Sequence, residues 1–217
     1  MFVITADQID SRHDRDRASD MIAELMRRHA AAFALPPDQT SGDEIQLLVP
    51  TAADSFAVLL DLHRSGFWSV GLGIGGVRTP LPATTRQATG DAFIAARAAV
   101  TRAKRSEARF ALEMAAESDA EATATATALT GPEVEALVTM LLLLRQRRTA
   151  EGWEAVDLLE SGLAQTMIAR TLGISTAAVS QRVKSSSWKV ERDAHPAVVR
   201  LLDNHDRDTS ETDDHRR

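Results

Sequence analysis

The sequence predicts an α/β domain followed by an all-α domain. In the first half, four short apolar segments with strand character alternate with three amphipathic segments of helical period. This alternation is typical of a sheet with helices packed on one or both faces. Residues 118–128, SDAEATATATA, lack any large apolar side chain and predict a linker, with a strand or helix as the alternative. From residue 129 onward the pattern is helical.

The elements of the first half follow from local signals. In the first strand Val3, Thr5 and Asp7 face one side of the sheet, because side chains alternate along a strand. Pro50 ends the second strand and Gly66 closes the second helix. The predicted strands are 2–9, 44–50, 67–77 and 109–115, and the predicted helices are 19–34, 53–66 and 90–106.

The second half contains capping signals for several helices. Thr130 is a candidate N-cap, with Pro132 in the first turn. Helices are predicted at 132–148, 151–161, within 165–188 as a pair, and at 196–204. Residues 205–217 have no apolar side chain and predict a disordered tail. The predicted domains are therefore 1–117 and 129–204, joined by the linker 118–128.

The segment 165–188, QTMIARTLGISTAAVSQRVKSSSW, has the pattern of a helix-turn-helix. Gly173 ends the first helix, since glycine adopts the left-handed conformation without steric cost. Ser175 is a good N-cap for the second helix, and Val179 and Val183 form its buried stripe. The spacing resembles sigma-factor region 4. The same pattern also fits a helical hairpin that binds nothing. The predicted DNA-binding residues are Ser175, Thr176, Ala177, Ser180, Gln181, Arg182 and Lys184.

Charge and composition restrict the possible functions. The net charge of −6 argues against a protein that coats nucleic acid everywhere, but residues 165–192 carry five basic side chains and one acidic one. The basic residues at 145, 147 and 148 fit either phosphate contact or a solvated helix end. The absence of cysteine excludes disulfides and thiolate metal sites. The chain has no apolar run of membrane-spanning length and no signal peptide, so we expect a cytoplasmic protein without membrane contact.

Acidic residues and glycines lie at the strand ends of the first half. Carboxylates from neighbouring strands can hold Mg²⁺ together with phosphate oxygens. The alternative for each is a solvated turn residue. Gly71 and Gly73, inside the third strand, permit close approach of another backbone or of a ligand. The acidic residues at these ends are Asp7, Asp10, Asp43 and Glu44.

Four segments of the first half together resemble class III nucleotide cyclases. ADQIDS at 6–11 resembles their first metal-binding strand, and GDEIQLLV at 42–49 resembles their GD hairpin and the GGDEF signature. SVGLGIGGV at 69–77 and GDAFIAARAAV at 90–100 resemble a cyclase strand and helix. The whole chain resembles the SatD family of bacteria. The resemblance implies a ferredoxin-like, palm-like sandwich of the nucleotidyl-cyclase type, followed by the helix-turn-helix domain.

The resemblance also implies site residues. Asp7 and Asp43 match the metal-binding aspartates, and Arg97 matches an arginine that steadies transition-state charge. Phe93 stands where the cyclases have an asparagine, and no lysine matches the purine-contacting position, so no catalytic residue is assigned. The implied cofactor is Mg²⁺ bound with a nucleotide. The implied nucleotide-binding residues are Asp7, Gln8, Ile9, Asp10, Ser11, Gly42, Asp43, Glu44 and Arg97.

These observations lead to one main functional hypothesis and two alternatives. The main hypothesis is a nucleotide-responsive transcriptional regulator that binds double-stranded DNA as a homodimer, because one helix-turn-helix covers only one half-site. The first alternative is an active nucleotidyl cyclase or phosphotransferase that is regulated by its helical domain. The second is a scaffold whose helix-turn-helix binds a protein partner.

Overall fold

A computed structural model describes residues 1–40, 42–115 and 129–214. These residues form one mixed five-stranded sheet and eight α-helices, so the predicted α/β fold is confirmed. In chain order the elements are β1 (Phe2–Gln8), α1 (Ala18–His29), a 3-10 turn (Ala30–Ala32), β2 (Asp38–Gln39), β3 (Glu44–Val49), α2 (Ala52–Ser65), β4 (Trp68–Ile74), a 3-10 turn (Thr85–Gln87), α3 (Asp91–Ala103), β5 (Phe110–Met114), α4 (Gly131–Gln146), α5 (Ala150–Glu160), α6 (Gln165–Leu172), α7 (Thr176–Ser185) and α8 (Trp188–Asp214).

The sheet has the strand order β2-β3-β1-β4-β5. The central strand β1 is antiparallel to both β3 and β4, and β4 is parallel to β5. The two-residue strand β2 forms an antiparallel hairpin with β3 and was not predicted, because two residues are too few for an alternating pattern. Helix α2 therefore connects two parallel strands that lie on either side of β1.

Helices cover both faces of the sheet. Nearly all positions of β1, β3 and β4 are buried, as expected for strands without a solvent-facing side. Helix α3 packs against β4, β5 and β1, while α1 contacts α2, and α2 contacts β1 and β4. Val3 and Leu48 belong to the cluster under α3. The sheet face on which Val3, Thr5 and Asp7 were predicted to lie together is therefore the face that α3 covers.

Two glycines of β4 let α3 lie directly on the strand. A Cβ atom at Gly71 would stand 2.2 Å from the Val100 backbone nitrogen and 2.6 Å from the Ala96 carbonyl oxygen. A Cβ atom at Gly73 would stand 2.2 Å from the Ala92 carbonyl oxygen. Real Cβ atoms do not approach backbone atoms this closely. The space that these glycines leave is occupied by a helix backbone rather than by a ligand.

The first turns of α4 pack against the sheet domain. The Leu112 backbone N–H donates a hydrogen bond of 2.7 Å to Oε2 of Glu135. Arg102 Nη2 also donates to that oxygen, at 2.8 Å. These contacts explain why residues up to Thr139 belong to the first compact unit, which consists of 1–139 and 198–217. The second unit is 140–197. The predicted linker at 118–128 lies outside the described residues.

The second unit contains α5, α6 and α7, which pack against one another. The three helices are short, between 8 and 11 residues, so packing rather than intrinsic propensity stabilises them. Within the described residues, no helix combines the length and apolar character needed to cross a membrane.

Helix α8 differs from its prediction at both ends. The sequence places its start near Pro196, since proline favours the first turn, but Pro196 lies inside a helix that begins at Trp188. Glu191 in the first turn is bound to two buried arginines, which holds this earlier turn in place. The tail predicted to be disordered from residue 205 continues as helix to Asp214, because His205 is buried and elongation adds a bond for each residue fixed. Residues 215–217 lie outside the described residues.

The glycines of β4 generate a stability prediction. We expect Gly71→Ala to lower the free energy of unfolding by about 3 kcal/mol, because the added methyl group has backbone rather than flexible side chains as its neighbours. Urea unfolding followed by circular dichroism measures this. Gly131→Ala is the matched control, since its Cβ would meet only the flexible Met114 side chain. Equal unfolding midpoints for the two variants would contradict the close contact between α3 and β4.

Candidate functional site

Two acidic side chains stand opposite each other near the end of β1. Asp7 of β1 pairs in register with Glu44 of β3. Residues directly opposite in an antiparallel pair have Cβ atoms about 4.5–5.5 Å apart on one face. Glu44 is 3% exposed as a residue, and the Asp7 side chain is 18% exposed. The strand register thus creates a largely buried pair of carboxylates.

Helix α3 and its C-cap residue, Lys104, supply a cation to each carboxylate. Arg97 donates two hydrogen bonds to Glu44, from Nη1 to Oε2 at 2.7 Å and from Nη2 to Oε1 at 2.8 Å. Thr40 Oγ1 adds a third hydrogen bond to Glu44, at 2.6 Å. Lys104 Nζ lies 2.7 Å from Oδ2 of Asp7. Each carboxylate is therefore compensated inside the chain, as burial of charge requires.

Asp43 belongs to a separate group next to this cluster. Its Oδ2 atom accepts a hydrogen bond of 2.5 Å from Ser11 Oγ, and its carbonyl oxygen accepts one of 3.0 Å from the Gln8 backbone N–H. Gly42 has a φ of 56°, in the left-handed region that favours glycine. A small pocket of about 320 Å³ lies here. Its lining residues are Gln8, Ser11, Arg12, Asp16, Gly42 and Asp43.

The predicted nucleotide-binding residues thus divide between two groups. The first is Asp7, Glu44 and Arg97; the second is Gln8, Ser11, Gly42 and Asp43. The other two are engaged elsewhere: the Ile9 N–H donates to the Phe67 carbonyl oxygen at 2.8 Å, and the Asp10 carboxylate pairs with His13.

A metal ion at the predicted position would have few protein ligands. Across the described residues, no group of three or more histidine, cysteine, aspartate or glutamate side chains is placed to hold a metal. A site built on Asp7 and Asp43 supplies at most two carboxylates. That number suits Mg²⁺ only when waters or phosphate oxygens complete the shell.

Lys104 is a site residue that the sequence analysis did not identify. Lys104 follows Arg97 by seven residues, which is about two helical turns, so both side chains project from the same face of α3. The seven-residue spacing was the only sequence feature that could have linked Lys104 to Arg97. Its meaning depends on the sheet register, which places Asp7 and Glu44 side by side beneath this helix.

Helices α6 and α7 form a packed pair in which Gly173, Ser175 and Val179 have their predicted roles, while Val183 is only partly buried. Gly173 ends α6 with a φ of 65°. Ser175 caps α7, its hydroxyl accepting a hydrogen bond of 3.1 Å from the Ala178 N–H. Ile168 and Val179 are buried between the helices, and Ile174 packs on them from the turn. The local geometry follows from the same residues that predict it.

One face of α7 is exposed and lacks acidic groups. No aspartate or glutamate occurs between residues 161 and 190, whereas Arg170, Arg182, Lys184 and Lys189 lie in that stretch. Six of the seven predicted DNA-binding residues are exposed: Ser175, Thr176, Ala177, Ser180, Gln181 and Lys184. The face therefore combines hydrogen-bonding groups with positive charge.

Arg182 differs from the other predicted DNA-binding residues. Its side chain is 27% exposed, and its Nη1 atom donates a hydrogen bond of 3.0 Å to Glu154 of α5. The sequence placed Arg182 on the exposed side of α7. In the structure Arg182 lies next to α5. Its guanidinium is bound to Glu154, which would compete with a DNA phosphate for it.

A buried ion cluster lies beside these helices. Arg148 Nη2 donates to Glu191 at 2.5 Å, and its Nε donates to the Ser186 carbonyl oxygen at 3.0 Å. Arg145 also pairs with Glu191, and both guanidinium groups contact the Trp153 ring. The sequence suggested that these arginines either contact phosphate or belong to a solvated helix end. Both interpretations are wrong for Arg145 and Arg148, because each residue is only 6% exposed.

Comparison of the whole chain with protein-family models gives no match. Comparison with curated proteins gives none either, and no solved structure matches.

The ion cluster generates a pH prediction. Burial lowers the pKa of His195 from its ordinary value of 6.5; nearby Glu191 opposes this shift and Arg145 adds to it. The folded state therefore binds this proton less readily than the unfolded state does, and stability should fall as the pH drops below about 6.5. His195→Gln should flatten that part of the profile. Urea unfolding of both proteins between pH 8 and pH 5 measures it, and parallel profiles would contradict the expectation.

Proposed function

We propose that this chain is a nucleotide-responsive DNA-binding transcriptional regulator, in which a cyclase-like palm domain controls a helix-turn-helix. The observation that carries the proposal is the exposed, acid-free face of α7 on a tightly packed helix pair. On this proposal α7 is the recognition helix and enters the major groove, while α6 crosses the phosphate backbone.

The side chains of α7 suit both kinds of DNA contact. The Gln181 carboxamide can donate and accept at once, which matches the major-groove edge of adenine. Lys184 suits a phosphate, as do the hydroxyl groups of Thr176 and Ser180. Arg182, bound to Glu154, positions α7 against α5 in this account and makes at most a secondary contact with DNA.

The strand order supports a palm-like assignment for the first four strands. A helix separates β1 from the β2–β3 hairpin, and a second helix separates β3 from β4, which is the connectivity of a ferredoxin-like sandwich. On this proposal Asp7, at the end of β1, and Asp43, in the hairpin turn, are the metal ligands that the resemblance to cyclases implies. Mg²⁺ would bind these two carboxylates together with nucleotide phosphates.

We also propose that the regulator is a homodimer, since one recognition helix covers one half-site and two are normally needed for specificity. Light scattering at micromolar concentration, with and without DNA, tests this, and a monomer under both conditions would count against it.

A second candidate is a phosphotransferase or nucleotidyl cyclase. It is favoured by Arg97 and Lys104, two cations held directly above the carboxylates Asp7 and Glu44, since such cations stabilise charge on a transferring phosphoryl group. Phe93 in place of the cyclase asparagine argues for the first proposal. Release of pyrophosphate from ATP or GTP with Mg²⁺ present would favour the second.

The recognition-helix assignment predicts separable effects of two substitutions. On DNA selected from a random library by the wild-type protein, Gln181→Ala should cost about 1–3 kcal/mol of specific binding and relax specificity at one base. Lys184→Ala should weaken binding to all sequences and reduce the slope of log Kd against log salt by about one. Fluorescence anisotropy measures both. Arg27→Ala is the control, because Arg27 is an exposed basic residue of α1, paired with Glu24 and outside the segment 165–192. Wild-type affinity and slope in both α7 variants would refute the assignment.

The sensor hypothesis predicts that the nucleotide and DNA influence each other's binding. A coupling free energy of about 1–3 kcal/mol would change DNA affinity roughly 5- to 150-fold when the nucleotide and Mg²⁺ are bound. Asp43→Asn should weaken nucleotide binding in Mg²⁺ and reduce this effect, while leaving DNA binding without nucleotide nearly unchanged. Calorimetry with ATP, GTP and cyclic dinucleotides, followed by DNA titrations, measures it. Asp20→Asn, at an exposed position of α1, is the control. If Asp43→Asn behaves like the control, the metal-based sensor fails.

A further inference from the structure

A cleft of about 820 Å³ lies on the α3 side of the sheet, beyond the carboxylate pair. Its walls come from the β2–β3 hairpin, the loop between β4 and α3, and the first turns of α3. The volume is within the usual range of about 300–1,000 Å³ for sites that bind small ligands.

Three arginines and one acidic residue, Asp91, line this cleft. Arg97 is held by Glu44, and Arg86 is held by Asp38, with Nη2 3.1 Å from Oδ1, and by the Gln39 carbonyl oxygen. Arg78 is different, because its guanidinium has no hydrogen bond or ion pair with any residue that the structure describes. Its backbone N–H is fixed to the Thr89 carbonyl oxygen at 2.8 Å. The loop is therefore anchored while the donors of Arg78 remain available to a ligand.

Gln46 supplies a second, independent indication of a ligand. The residue is only 8% exposed and lines the cleft, and its carboxamide makes no hydrogen bond with the described part of the chain. The amide atoms are not fully enclosed, so they face the solvent of the cleft, where a ligand can replace water. The same amide can donate and accept, as a partner with an adjacent donor and acceptor requires.

We propose that this cleft binds a nucleoside phosphate, with Arg78 holding a phosphate and Gln46 hydrogen-bonded to the edge of the base. A guanidinium recognises phosphate oxygens by geometry as well as by charge. Phe93 and the exposed Ile94 give the cleft an apolar side for the base. The inference rests on the proposed function, since it locates the ligand of the sensor. It adds that Arg78 contributes to binding without a metal.

The experiment compares variants by calorimetry in Mg²⁺ and in EDTA, using ATP, GTP, adenosine, guanosine and inorganic pyrophosphate. Arg78→Ala should weaken binding of the tighter-binding nucleotide about 10- to 100-fold, by the same factor in both buffers. It should also weaken binding of pyrophosphate. Gln46→Leu, which roughly keeps the side-chain volume, should weaken binding of the nucleotide and of its nucleoside but leave pyrophosphate binding unchanged. Arg105→Ala is the matched control, an exposed arginine just beyond α3. Circular dichroism confirms the fold of each variant.

The outcomes separate this inference from the proposed function. If Asp43→Asn abolishes nucleotide binding while Arg78→Ala and Gln46→Leu behave like the control, the cleft is not the site and the metal-based sensor stands. If both cleft variants lose binding in both buffers but the nucleotide leaves DNA affinity unchanged, the site is right and the regulatory role is wrong. If neither nucleotide binds the wild-type protein, both proposals are overturned.

Discussion

The contact between α3 and β4 determines where the functional groups of the sheet domain lie. Two glycines of the strand face the alanine-rich side of the helix, so the two backbones meet without intervening side chains. At this short distance Arg97 and Lys104 reach carboxylates on β3 and β1. A helix held farther away by larger side chains would leave Glu44 buried without its counterion, which is unfavourable. The glycines are thus a condition for the charged cluster.

The second unit is organised by a different interaction. One buried glutamate, Glu191, binds two arginines that also contact the Trp153 ring, and Arg148 reaches the carbonyl oxygen that follows α7. The geometry of such a cluster is restricted, because each charged group can stay buried only while its partners are in place. It fixes the end of α7 relative to the start of α8. The orientation of the exposed face of α7 within this unit therefore depends on residues far from that face in sequence.

The parts of the fold that local patterns determine could be predicted. The succession of strands and helices depends on residues that are neighbours in the sequence. So do the helix ends at Gly66 and Gly173 and the cap at Ser175. Contacts between distant residues could not be predicted, and they explain the differences. Glu154 is 28 residues from Arg182 and draws it away from the exposed face. The cleft that Gln46 lines is formed by the β2–β3 hairpin, the loop between β4 and α3, and α3 itself. These segments are far apart in the sequence, so no short motif predicts the cleft.

Glu135 has a consequence for how copies of this protein can associate. Its carboxylate accepts the Leu112 N–H, which is a donor on the outer edge of β5. At the opposite edge β2 has only two residues. An open strand edge invites pairing with another chain, and proteins protect such edges by covering or shortening them. Among the described strands, neither edge offers a long unpaired ladder. Growth of the sheet by strand addition is therefore disfavoured.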